Sequence, residues 1–340
     1  MARTTIKDIA RECGVSLSTV SLVLNNNPRI SESTREKVLS SVRKHEYQPN
    51  TFARSLASQS SRSLSVIVPH LNHVFADTYF GEIVSGIYEH ATSLGYKVML
   101  EMANRHFIQT HEYLNLLKTK RVDGLLILGS SVHDEYLKDL AASNYPYVLV
   151  NHYFPGRSMN YISADYITSA RLAANHLLDH GHRHIGMLSG TTTNTALDFR
   201  DHFTKACMEG GVAKENLYWS DGWFTEQGGF EGAQWLLDRY PEMTAIMAGN
   251  DKMAIGAMRH IARRGLKVPH DISVIGMDDV AAAEFANPSL TTIRHDLYQI
   301  GAKSVEALLV LFRKEAELVQ QTLPVELVVR ESTGPVRTAS

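Results

Sequence analysis

The stretch Thr4-Thr5-Ile6-Lys7-Asp8-Ile9-Ala10-Arg11-Glu12-Cys13-Gly14-Val15-Ser16-Leu17-Ser18-Thr19-Val20-Ser21-Leu22-Val23-Leu24-Asn25 reads as two short amphipathic helices joined by a tight turn. Thr5 caps the first helix, and Asp8, three residues on, completes a capping box. Ile6, Ile9 and Ala10 recur at helical spacing, so one face is apolar. Gly14 suits the left-handed residue that ends a helix, and Val15 fills the corner where the helices cross. Ser16 caps the second helix, whose Val20, Val23 and Leu24 face inward and whose Leu17, Ser18, Ser21 and Leu22 face outward. This is the layout of a helix-turn-helix, a motif whose second helix can enter the major groove of duplex DNA. The same periodicity would serve an ordinary αα-hairpin, so the surrounding chain must decide between them.

After a polar loop, Asn26-Asn27-Pro28-Arg29, a third helix is expected from about Ser31 to His45. Ser33 with Glu36 offers a second capping box, and Val38, Leu39 and Val42 form its apolar face. The three helices share a core of Ile6, Ile9, Val20, Val23, Val38 and Val42. Pro49 then stops one helix and Asn50 caps another, at most two turns over residues 51–57. A helix that short is unstable alone and needs a partner surface, its twin in a dimer or DNA. Ser58-Gln59-Ser60-Ser61-Arg62-Ser63 has linker composition. The expected organisation is a head over 1–48, a hinge helix and linker over 49–62, and a body over 63–340.

Hydrophobic content of 44% and charged content of 21% in 340 residues suit a globular protein with ample core. No apolar run of about 18 residues occurs, and Met1-Ala2-Arg3-Thr4-Thr5 lacks a signal-peptide core, so a cytoplasmic protein is expected. Cys13 and Cys207 fall in different domains and are expected to be free thiols. The net charge of −2 is polarised. Residues 1–62 carry 10 Lys and Arg against 5 Asp and Glu, a local +5, while the remainder carries 24 against 31, a local −7. A basic head on an acidic body suits a module that meets phosphate while the bulk does something else.

From Leu64 the texture changes to unbroken apolar strands alternating with helices. Leu64–Pro69, Tyr96–Leu100, Gly124–Gly129 and Tyr147–Asn151 are expected strands, with helices near 77–94, 110–119 and 134–143. The rhythm resumes with Tyr161–Ser163, a helix over 167–178, and strands His184–Leu188, Ala245–Ala248 and Ile272–Gly276. Such alternation means parallel sheets covered on both faces, and this length calls for two α/β lobes. Ligands of open α/β sheets bind beyond the carboxyl ends of the strands, here in the cleft between the lobes.

The head and hinge resemble the lactose-repressor family of bacterial regulators. The resemblance rests on Thr5–Ala10, Gly14–Ser16, Thr19–Ser21, Val23–Asn25, Ser33–Val38, Tyr47–Asn50 and Ala53–Leu56. Asn175–Gly186, Asn250–Ala257, Asp271–Asp279 and Pro288–Ile293 extend it through the body, which is similar to periplasmic sugar-binding proteins. It implies a helix-turn-helix head on a two-lobed α/β body, with the chain crossing between lobes near residues 163 and 287. It implies a homodimeric, ligand-controlled transcriptional regulator, a repressor of a palindromic operator. Leu17, Ser18 and Leu22 would read bases, and Leu56 would wedge into the minor groove. Thr5, Ser16, Ser21, Asn25, Arg29, Thr34 and Arg54 would meet phosphates, with Asn50 and Ala53 completing the hinge surface; capping alone also accounts for several of these. The effector, a sugar or derivative, would lie among Tyr79, Phe80, Asn151, Arg200, Trp223, Phe224, Asn250 and Asp278, with Trp219 a further stacking candidate.

Three departures bear on the effector. The loop Asn72–Asp77 is about two residues longer than the family's short form, Asp201-His202 follows Arg200, and Ala196 stands where a hydroxyl is frequent. His176, His180, His182 and His184 have metal-like spacing, but the family-like turn explains the run, and neither metal nor cofactor is expected. No phosphate loop, dinucleotide fingerprint or nucleophile elbow occurs, so an enzyme is not expected. The rival is a solute-binding protein of the periplasmic type, which would need an export signal and have no use for residues 1–62. The C-terminus has no sustained heptads, so a tetramerising coiled coil is not expected.

Overall fold

The computed structural model describes residues 4–24, 27–47, 60–71, 74–131, 134–190 and 193–336. They form two compact units, Met1–Ser61 and Arg62–Ser340.

In the first unit, α1 (Ile6–Cys13), α2 (Leu17–Leu24) and α3 (Glu32–Lys44) enclose buried Ile9, Ala10, Cys13, Val20, Val23 and Val38. Ile6 and Val42, expected inside, are half-buried on the rim. Gly14 ends α1 with φ 63°, where a side chain would be strained. The N-cap of α3 is Ser31, whose hydroxyl accepts from Thr34 N–H at 3.4 Å, not Ser33 as the Ser33–Glu36 spacing predicts. Ser33 lies inside the helix because Ser31 is the last extended residue.

The second unit has two six-stranded sheets. Its strands are β1 (Ser63–Pro69), β2 (Lys97–Ala103), β3 (Gly124–Leu128), β4 (Tyr147–Val150), β5 (Tyr161–Ala164), β6 (Ile185–Ser189), β7 (Leu217–Asp221), β8 (Ala245–Ala248), β9 (Ser273–Asp278), β10 (Thr291–His295), β11 (Gln320–Leu323) and β12 (Val325–Val328). One sheet has the order β11-β5-β4-β3-β1-β2 and the other β12-β10-β9-β8-β6-β7. All pairings are parallel except β10–β12. β3, β4 and β8 are buried throughout, as strands covered by helices on both faces must be. The covering helices include α4 (Thr78–Ser93), α5 (Arg105–Gln109), α6 (Glu112–Lys118) and α7 (Tyr136–Ala142), then α8 (Tyr166–Asp179) and α9 (Asn194–Glu209). They continue with α10 (Glu226–Arg239), α11 (Asp251–Arg263), α12 (Ala281–Phe285) and α13 (Leu297–Phe312).

The chain passes between the sheets three times: after β5, between β10 and α13, and at Pro324 between β11 and β12. The second passage therefore falls near residue 296 rather than 287. Thr291–His295 still pairs with β9 and β12, which keeps the chain in the second lobe until that strand ends. The third passage was not expected at all.

Each lobe packs a pair of helices through glycine. A Cβ at Gly86 of α4 would lie 2.0 Å from the Tyr298 carbonyl oxygen of α13, and one at Gly301 would lie 2.2 Å from that of Ile83. In the second lobe, Cβ atoms at Gly229 and Gly256 would meet the carbonyls of Met253 and Glu226 at 2.1 and 2.0 Å. The obstructing atoms are backbone, so relief requires the helices to separate. Gly86→Val should lower unfolding stability by roughly 2–3 kcal/mol, read as an earlier urea midpoint; an unchanged midpoint would contradict this packing.

Candidate functional site

On the head, Ser16, Leu17, Ser18, Ser21 and Leu22 are all exposed, and helical spacing sets 17, 18, 21 and 22 on one side of α2. Leu17 and Leu22 are 44% and 38% exposed, too open to belong to the core. Ser16 caps α2, its hydroxyl accepting from Thr19 N–H at 3.0 Å and lying 2.6 Å from the Ser18 hydroxyl. Thr34 pairs with Ser31 at 2.9 Å, and Thr5 donates its N–H and hydroxyl to Asp8 at 2.9 and 2.7 Å. These three residues therefore take part in holding helix starts. Arg29 is exposed in the loop before α3. Asn25, Asn50, Ala53, Arg54 and Leu56 lie outside the described residues. Glu12 ties α1 to α3, accepting from Lys44 Nζ at 2.7 Å and Ser41 at 3.0 Å and pairing closely with His45. Those partners hold its carboxyl down at about 2.

In the body, the residues just past the strand ends of the two sheets meet. Asp278, at the end of β9 with φ 105°, is buried. Burial pushes its carboxyl up, opposed by His295, whose Nδ1 lies 3.3 Å away though not aligned for a hydrogen bond. The other His295 nitrogen, Nε2, lies 3.0 Å from the Ser169 hydroxyl, and its ring meets Tyr166 edge-on at 5.1 Å. Beneath β9, buried Asp251 accepts from the Thr292 hydroxyl at 2.6 Å and from Val280 N–H at 2.8 Å. A Cβ at Gly276 would lie 2.3 Å from its Oδ1, so glycine makes room for this carboxylate. Asp279 is clamped by Arg294 and Arg330, each at 2.7 Å. The turn presenting Asp278 is thus fixed from below and from one side.

The first lobe brings Tyr79, Phe80 and Asn151 to the same place. The Asn151 amide donates to the Tyr79 hydroxyl at 3.1 Å and accepts from Ala164 N–H at 2.9 Å, so Asn151 orients Tyr79 and ties β4 to β5. Burial raises the Tyr79 phenol, and the Asp278 charge acts in the same direction. Phe80 meets Tyr79 edge-on at 5.1 Å and is buried against Gly129.

Phe224 and Asn250 join just past the ends of β7 and β8. The Asn250 Oδ1 caps α11 by accepting from Met253 N–H at 2.9 Å, and its Nδ2 donates to the Phe224 carbonyl at 3.2 Å. The Phe224 ring covers Gly190, just past β6, while neighbouring Trp223 is 65% exposed. Arg200 turns elsewhere: it lies over Trp219 at 5.4 Å and beside Asp201 at 3.4 Å. It lines a groove of about 790 Å³ with Met187, Phe203, Thr204, Met208 and Trp219, between α9 and β7.

The sequence reading gave no part to Asp251, Lys252, His295, Tyr153 or Tyr166. Asp251 and Lys252 stand beside Asn250 in a run quoted for its resemblance, and that adjacency was the available signal. His176, His180 and His182 meet the C-terminal segment, while His184 pairs with the Tyr218 hydroxyl at 2.9 Å. His176 pairs with Thr333 at 2.8 Å, His182 lies 3.1 Å from the Gly334 carbonyl and 2.9 Å from Thr244, and Val336 N–H donates to the His180 carbonyl at 2.8 Å. No group of three metal-ligating side chains occurs among the described residues, and no helix there is long and apolar enough to cross a membrane.

Residues 5–50 match the bacterial regulatory proteins of the lacI family, and residues 174–333 match the periplasmic binding protein-like domain. The chain is 33% identical to catabolite control protein A of Priestia megaterium, covering 97% of this chain and 99% of that protein. It is 32% identical to the HTH-type transcriptional repressor CytR of Escherichia coli, covering 97% and 96%. The lac repressor dimer bound to operator and the anti-inducer ONPF aligns with a TM-score of 0.84 at 31% identity, covering 98% of this chain and 100% of that one.

Burial pushes the His176 and His182 rings down to about 4 from 6.5. The unfolded chain takes up these protons below pH 6.5 while the folded chain resists until about pH 4, so stability is full above 6.5 and is lost as pH falls between those values. His182→Gln should flatten the dependence of the urea midpoint on pH across that window. An equal slope in both proteins would contradict the burial of this ring.

Proposed function

The chain belongs to the lacI family of bacterial transcriptional regulators, and from that premise we propose that it is a cytoplasmic homodimeric repressor of a palindromic operator, released or engaged by a sugar-like effector. The regulator and its ligand control follow from the family; operator symmetry, dimerisation, location and effector class are proposed for this chain. The observation that carries it is the buried Asp278 carboxylate, held past the end of β9 with His295 Nδ1 at 3.3 Å, while Asn151 fixes the Tyr79 hydroxyl past the strand ends of the other lobe. A fixed acceptor flanked by aromatic rings suits a polyhydroxylated ligand. Tyr79, Phe80, Asn151, Phe224, Asn250 and Asp278 form the walls, with Arg200 and Trp223 at the margin.

On the head, Leu17, Ser18 and Leu22 read base edges through methyl contacts and one hydroxyl, and Leu56 is assigned the minor-groove wedge. Thr5, Ser16, Ser21, Asn25, Arg29, Thr34, Asn50, Ala53 and Arg54 position the head on the backbone without specifying sequence.

A thermal-shift panel of ribose, galactose, cellobiose and adenosine on the full chain tests the cleft. At saturation a cognate ligand should raise the melting temperature by roughly 5 °C, and Asp278→Ala should abolish the rise while leaving duplex binding intact. A rise that survives Asp278→Ala would overturn the site. On the DNA side, Arg29→Ala should reduce the slope of log affinity against log salt by about one. Leu56→Ala should weaken specific binding far more than non-specific binding, and equal losses at fixed salt would contradict the wedge.

A further inference from the structure

Asp77 lies just before α4, and its two carboxylate oxygens serve different lobes. Oδ1 accepts from Tyr79 N–H at 3.1 Å, capping the helix that carries Tyr79 and Phe80. Oδ2 accepts from Lys252 Nζ at 2.7 Å, and Lys252 belongs to the first turn of α11 in the second lobe. The two side chains are 22% and 26% exposed, so the pair is screened less than a surface ion pair. Among the described residues a second side-chain bond also spans the lobes: the Tyr153 hydroxyl, past β4, donates to Asp198 of α9. Asp77 follows β1, so the two bridges stand on either side of β3 in the sheet.

We propose that Lys252 is a positioning residue of the effector cleft, acting through Asp77 on Tyr79 and forming an ionic latch that sets one lobe against the other. This rests on the cleft being the effector site. Lys252 follows Asn250, the residue that fixes the Phe224 turn, so one helix start governs cleft-wall residues of both lobes. A ligand entering between Tyr79 and Asp278 must fit the lobe setting that this bond holds, or break it. The Tyr153–Asp198 bond has a neutral donor and gives no such response to a change of charge on Lys252.

Amide hydrogen exchange on the full chain, read on peptides covering residues 77–84, tests the latch without any ligand. Asp77→Asn keeps the capping oxygen but removes the charge, which separates a latch from a cap. Asp77→Asn and Lys252→Met should each speed exchange there about fivefold, the upper end for one part-exposed ion pair. The double variant should go no further, and Lys252→Arg should exchange like the unaltered chain. An Asp77→Asn protein that exchanges like the unaltered chain, or additive losses in the double variant, would overturn the proposal. Ribose and cellobiose thermal shifts run beside it report on the cleft reading: absent shifts with fast exchange in Lys252→Met count against the effector class alone.

Discussion

The body depends on one topological constraint: the chain crosses between its two sheets three times, at the ends of β5 and β10 and at Pro324. Two of these passages leave from strand ends, and β11 and β12 then bind the C-terminal stretch into both sheets at once. Neither lobe is therefore a free domain on a tether. One cluster of buried residues runs from Leu64 and Val66 of the first sheet through Tyr166 and Ala170 of α8 and Phe199 of α9 to Met187 and Ile293 of the second sheet. Lobes joined in this way share part of one buried core, so the packing of one is coupled to that of the other.

At that junction the chemistry is dominated by buried acids. Asp251 and Asp278 both have their carboxyls pushed up by burial and by charge from neighbouring acids, a costly arrangement that persists because Asp251 is bonded to Thr292 and Val280. The cost is reasonable if the turn at Asp278 must stay rigid. A preorganised acceptor loses less freedom on binding than a mobile one. The aromatic side chains opposite it are likewise held, Tyr79 by Asn151 and Phe80 by Gly129.

Much of this was legible in the sequence because it rests on local pattern. The helices at Ile6–Cys13 and Leu17–Leu24 follow from apolar spacing, Gly14 and Ser16, and β1, β3, β4 and β8 follow from unbroken apolar runs. The misses share a physical cause. β11, Gln320–Leu323, is exposed except for its last residue and carries no strand signature; it exists because it adds to the edge of β5. The start of α3 turned on which of two serines is extended, a matter of backbone angle. Lys252–Asp77 and Arg200–Trp219 join residues distant in sequence, and nothing local predicts which way a long cationic side chain will lie.

The exposed face of α2 carries Leu17, Ser18 and Leu22 and no long cationic or amide side chain at those positions. If these residues read bases as proposed, specificity comes from methyl contacts, shape and the spacing of two copies. Selection of bound duplexes from a randomised pool by the full chain tests the central claim most directly. The account predicts enrichment of an inverted repeat with two equivalent half-sites. Recovery of unenriched sequence, or of single half-sites alone, would contradict it.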